Sequence, residues 1–130
     1  FDINKIDEVL GSIISKKYIG IKEITSFVAF PDCGYPWNLF LVESFCRRFS
    51  KKYKFVTKIA SSKNTGAIVE KEMSDDFDEI LIVAVAESGI ELESERIFDF
   101  LIMNGYLYRH AYKGMDNLIY RANEMRERSK

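Results

Sequence analysis

Two rhythms of apolar spacing alternate along the chain, and their order predicts its elements. Ile3, Ile6, Leu10, Ile13 and Ile14 recur at helical intervals, with Lys5, Asp7, Glu8 and Lys16 on the opposite side. That pattern predicts an amphipathic helix from Ile3 to Lys16 with one buried face. Tyr18-Ile19-Gly20 breaks the rhythm and reads as a short edge strand. Ile21, Ile24, Phe27 and Val28 restart it, predicting a brief second helix from Ile21 to Phe30. Pro31 ends that helix, because proline disfavours helical geometry in the residue before it. After the turn Pro31-Asp32-Cys33-Gly34-Tyr35-Pro36, a third helix is expected from Trp37 to Lys52, with Pro36 suited to its opening. Trp37, Leu39, Phe40, Leu41, Val42, Phe45, Cys46 and Phe49 cover more than one stripe of it. Its first three turns are therefore expected to be buried, and its basic end exposed, where cations complement the helix dipole.

The period then falls to two. Lys54 to Ala60 alternates Phe55, Thr57 and Ile59 against Lys54, Val56 and Lys58, and Ala67 to Met73 alternates again. Two alternating runs around Ser61-Ser62-Lys63-Asn64-Thr65-Gly66 predict a β-hairpin with a loop longer than a tight turn. Ile80 to Ala86 is apolar on all sides and suits either a buried strand or a helix. Asp75 or Asp76 before it and Gly89 after it supply caps, which favours helix. Ser94 is expected to cap a further helix that stops at Asn104-Gly105, followed by an extended aromatic link, Tyr106 to Tyr108. Leu118, Ala122 and Met125 predict a last amphipathic helix, capped by Asp116.

Helix, helix, helix, hairpin is an order that resembles the winged helix-turn-helix superfamily. The resemblance rests on that order over a little more than half the chain. It implies an α+β fold: a winged helix-turn-helix of three helices plus a β-hairpin wing over residues 1–74, with a C-terminal helical extension over 75–130 packed on it. The stretch from Trp37 to Phe45 is then expected to be a core post against which both the first helix and the C-terminal helices pack. In such a fold the third helix enters the major groove while the wing touches a neighbouring groove or the backbone.

Charge turns that expectation into a candidate surface. Net charge is −1, but it is segregated. Between Phe45 and Asn64 lie Arg47, Arg48, Lys51, Lys52, Lys54, Lys58 and Lys63 with no acid, whereas Glu70 to Asp99 holds eleven acids against Lys71 and Arg96. The cations, with Ser61, Ser62, Asn64 and Thr65 as hydrogen-bond donors, form an expected phosphate-contacting set. At the start of the third helix only Asn38 suits a base edge, so DNA-backbone contact is expected rather than sequence reading. The competing expectation is a non-enzymatic interaction or oligomerisation domain. There the acidic stretch covers the basic one, within the chain or from a second copy, and Tyr106, Tyr108, Tyr112 and Tyr120 contribute to an interface.

Composition narrows the classes further. The chain has 130 residues, 47% of them hydrophobic, enough for one packed domain or a domain with an extension. No apolar run approaches the ~20 residues of a membrane span. There is no secretory leader pattern, and the start at Phe1 without methionine suggests a piece of a larger cytoplasmic protein. Cys33, Cys46 and the lone His110 lack metal-site spacing, and both cysteines are expected as incidental thiols. Asp75, Asp76, Asp78 and Glu79 lack the alternation and glycine of a calcium loop and read as helix-capping and solvated acids. No catalytic motif is present, so no enzyme activity, cofactor, metal ligand or catalytic residue is assigned. The expected partners are DNA, the rest of a longer polypeptide and, for the interaction reading, a homodimer mate.

Overall fold

The structure, a computed structural model, describes residues 1–58 and 64–129. It is α+β: among the described residues, five helices surround a three-stranded antiparallel sheet in the order β1-β3-β2.

Helix α1 (Ile3–Ile13) starts where the Asp2 side chain accepts a hydrogen bond from the Lys5 amide at 3.1 Å. It ends a turn earlier than Lys16, because the chain leaves helical geometry at Ile14 to enter β1 (Tyr18–Gly20). The expected second helix does not form. A single 3-10 turn, Ile21–Glu23, takes its place, and residues 24–38 are irregular. Glu23 folds back and its carboxylate accepts from the Gly20 amide at 2.6 Å, which closes the turn. Ile24 and Phe30 are buried as plugs of a loop, not as one face of a helix, while Val28 is 93% exposed. Phe30 stacks on Trp37 at 4.7 Å, and the indole N–H donates to the Pro31 carbonyl at 2.7 Å.

Helix α2 (Leu39–Arg48) is shorter than Trp37 to Lys52 at both ends. Asn38, not Pro36, opens it: its side chain accepts from the Leu41 amide at 2.8 Å. Strands β2 (Tyr53–Val56) and β3 (Ala67–Glu70) form the hairpin, with Tyr53 opposite Glu70 and Val56 opposite Ala67. The first strand stops before the expected Lys54 to Ala60 run is complete; Ile59 and Ala60 lie outside the described residues. The second stops at Glu70, where a turn carries the Met73 amide onto the Glu70 carbonyl. β3 also pairs with β1, Tyr18 opposite Val69, so it is the central strand.

Residues 80–86 are helical, within α3 (Phe77–Ser88). Asp76 caps its start by accepting from the Asp78 amide, and Gly89 ends it at φ +77°. Capping at both ends outweighs the β-branched run, and burial on all sides explains the lack of a polar face. Helix α4 (Ser94–Met103) begins at the expected cap residue itself, with Glu93 at the cap and no side-chain bond there. Helix α5 (Met115–Arg128) has Gly114 at its cap, so Asp116 sits inside the first turn. Arg121 reaches both Glu79 oxygens at 3.0 Å, and Arg126 donates to the Val85 and Ala86 carbonyls at 2.9 Å. Those carbonyls belong to the last turn of α3, where no further helical N–H follows to bond them.

The sheet separates two cores. On one face Ile19, Ile68 and Tyr53 meet Ile6 and Leu10 of α1, Ile21, and Val42 and Phe45 of α2. On the other, Tyr18, Val56, Ala67 and Val69 meet α3, Ile97 and Leu101 of α4, Tyr106, and Leu118 and Ala122 of α5. The expected post on which everything packs is thus corrected. α2 supports α1 and one sheet face, and the C-terminal helices lie against the opposite face. Gly20 makes that contact possible at the sheet's end, since a Cβ there would collide with the Asn104 carbonyl. Among the described residues no helix is long and apolar enough to cross a membrane.

Candidate nucleic-acid interface

The hairpin's alternation sorts the basic residues before any partner is considered. Because successive strand residues point to opposite faces, Lys54, Val56 and Lys58 share the face that meets α3–α5. Lys54 Nζ lies 2.8 Å from Asp75 and also donates to the Met73 carbonyl. Lys58 Nζ lies 2.6 Å from Asp78 and 5.9 Å from the centre of the Tyr112 ring. Two of the expected phosphate contacts are therefore engaged by acids of the same chain.

Partial burial pushes the Asp78 carboxyl up, but hydrogen bonds from Lys58 and Tyr112 and the Lys58 charge outweigh it and hold the group below its ordinary value. Burial, then the hydrogen bond to Asp78 and its charge, push the Tyr112 hydroxyl up, so it stays a donor at neutral pH.

Arg47 is also engaged. Its Nε and Nη2 lie 3.0 and 2.9 Å from one oxygen of Glu43, and its guanidinium sits 4.9 Å from the centre of the Phe55 ring. Glu43 is 5% exposed, and its second oxygen is buried without a hydrogen-bond partner among the described residues.

Arg48, Lys51 and Lys52 differ. All three are exposed and make no ion pair among the described residues. Their backbone is nevertheless fixed. The Asp7 carboxylate, 3% exposed, accepts from the Ser50 hydroxyl at 2.5 Å and from the Lys51 amide at 3.0 Å. The Ser50 hydroxyl oxygen accepts in turn from the Tyr53 amide at 2.9 Å, so the turn from α2 into β2 is built around one buried acid. Helical spacing alone puts Asp7 on the solvated side of α1; the tertiary contact with Ser50 brings it inside.

Asn38 spends its side-chain acceptor on the α2 cap. Asn64 is exposed in a left-handed conformation, φ 51°. Lys63, Ser61 and Ser62 lie outside the described residues, and Thr65 is buried. The expected set thus does not act as one surface: a trio at the end of α2 separates from cations held by acids. Lys71, which the sequence reading left out, is exposed beside them, its amide donating to the Lys52 carbonyl at 3.1 Å. Its signal was hidden by the acidic stretch around it.

Phe1, Phe40 and Phe49 remain 50%, 56% and 43% exposed, with Phe1 packed on Trp37, Phe45 and Phe49 at ring distances of 5.8, 5.6 and 5.1 Å. The early turns of α2 are therefore less buried than their composition implied. His110 pairs with Asp99 at 3.4 Å, and no group of three His, Cys, Asp or Glu is placed to hold a metal ion among the described residues. Compared with protein-family models, curated proteins and solved structures, the chain matches none.

Proposed function

We propose that this is a winged-helix-like domain that binds the nucleic-acid backbone through Arg48, Lys51 and Lys52. The trio of exposed cations, without an ion pair among the described residues, on a fixed turn beside the hairpin carries this reading. The element order and the β1-β3-β2 sheet are compatible with a winged helix, with α2 in the third-helix position. Asn38 serves as a helix cap and Phe40 is the exposed apolar residue next to it, which supports contact with phosphates over reading of bases. With three phosphates neutralised, the logarithm of the duplex-DNA binding constant falls with the logarithm of salt at a slope of about −2.7. Gel shifts across a salt series, with Arg48→Ala/Lys51→Ala/Lys52→Ala alongside, test it. Binding that the triple change leaves intact would sink the reading.

A protein-interaction role is the second reading, favoured by the exposed aromatic side chains of Phe1, Phe40 and Phe49. Aromatic side chains are enriched at the centres of interfaces. Light scattering at high concentration discriminates it: self-association that Phe40→Ser/Phe49→Ser abolishes supports this role, and a clean monomer removes self-association from it.

A further inference from the structure

On the face of the molecule that carries α3 and α5, Lys58 just past the end of β2, the start of α3 and the link between α4 and α5 line a cavity of about 280 Å³. Phe77 and Leu107 supply apolar lining, Tyr108 and Tyr112 supply rings, and Lys58, Arg109 and Lys113 supply cations. Pockets for small ligands run from roughly 300 Å³ upward, so this one, at the bottom of that range, suits a ligand no larger than a mononucleotide.

The chemistry of the lining is selective. Asp78 is the acid at its edge, and its charge is already met by Lys58 and the Tyr112 hydroxyl. Arg109 and Lys113 have no acid partner among the described residues and are exposed. Arg109 lies over the Tyr108 ring at 5.5 Å, which places a guanidinium plane beside an aromatic face. Rings and a guanidinium plane are surfaces on which a nucleobase stacks, and two cations within the same loop complement a phosphate. A purely apolar ligand would leave those cations unused, and a bare phosphate would leave the rings unused.

We infer that this cavity is a binding site for one 5′-phosphorylated nucleotide, with the base on the tyrosine rings and the phosphate on Arg109 and Lys113. The ligand is either a free mononucleotide or the 5′ end of a strand. The site does not depend on the Arg48–Lys51–Lys52 surface, so the two readings stand or fall separately.

The test is titration of the chain with adenosine 5′-monophosphate, followed by backbone-amide NMR. The amides of Tyr108, Ala111, Tyr112 and Gly114 are expected to shift. Arg109→Ala/Lys113→Ala is expected to weaken binding about tenfold or more, the loss of one or two charge-assisted contacts. Both side chains are exposed, and an unchanged circular-dichroism melt verifies the fold of the variant. Adenosine without phosphate is expected to bind the parent as weakly as the nucleotide binds the variant. Displacement of the nucleotide by a 5′-phosphorylated oligonucleotide, but not by its 5′-hydroxyl form, upholds the site and names a strand end as the source; no displacement by either upholds it for a free nucleotide. Shifts confined to Arg48, Lys51 and Lys52, no shifts at all, or equal affinity in parent and variant overturn the inference.

Discussion

Lys58 and Asp78 meet at 2.6 Å, joining the chain just past β2 to the first turn of α3. With the Lys54–Asp75 pair beside it, this contact withholds two cations from any external phosphate. Replacing both acids, Asp75→Asn/Asp78→Asn, is expected to release them. The salt slope of duplex-DNA binding should then steepen by about 1.8, or 0.9 for each cation added. A slope equal to the parent's would mean that Lys54 and Lys58 face away from the bound duplex.

The same carboxylate sets an acid limit on stability. The folded pKa of Asp78 lies below the ordinary value of 3.8, so the folded state holds the charged form more favourably than the unfolded chain does. This contribution is complete above the ordinary value and is lost as pH falls through the lower folded one. Urea midpoints of the parent and Asp78→Asn are expected to differ at pH 7 and to converge below pH 3.8. A gap that persists unchanged into strong acid would assign the difference to something other than this charge.

Asp7 is expected to be the most sensitive polar position. Asp7→Ala leaves the buried Ser50 hydroxyl and the half-buried Lys51 amide without their acceptor. Each unpaired buried group costs about 1–3 kcal/mol. Urea denaturation measures the loss, and a change smaller than about 1 kcal/mol would show that water replaces the carboxylate there.

Arg126 closes the end of α3 from another helix. Arg126→Ala removes two charge-assisted bonds to the Val85 and Ala86 carbonyls and is expected to destabilise by about 1.5–3 kcal/mol. Arg126→Lys should restore only part of this, since an ammonium cannot present two N–H groups in a fixed fork. Full rescue by lysine would point to charge alone.

The two thiols should separate cleanly by reactivity. Burial, then the charges of Asp7 and Glu43, push the Cys46 thiol up to about 12, while Cys33 is partly exposed. One equivalent of iodoacetamide is expected to label Cys33 in the native protein, and Cys46 only in denaturant. Labelling of Cys46 at the rate of Cys33 would show that the α1–α2 core opens.

Parts of this arrangement were legible in the residues and parts were not. Asp76 and Gly89 identified α3 as helix against its β-branched body, because capping is written locally. The run from Ile21 to Phe30 misled for the opposite reason. Apolar residues at helical spacing also arise where a loop drops Ile24 and Phe30 into a core, and spacing cannot separate the two. Alternation correctly grouped Lys54 with Lys58, yet their partners Asp75 and Asp78 lie beyond β3, so the fate of those cations depended on sheet order. The nucleotide-sized cavity was hidden the same way: its rings and cations in residues 107–114 acquire Lys58 and Phe77 as neighbours only through tertiary packing.

β3 is buried on both faces, Ile68 towards one core and Ala67 and Val69 towards the other. During translation the strand is made before the helices that cover its second face. Until α3 is complete, Tyr18, Val56, Ala67 and Val69 present a newly folded but wet apolar surface, the kind of surface on which nascent chains aggregate. A nascent chain halted near Ser74 should therefore need a chaperone, and the full chain should release it once α5 has docked.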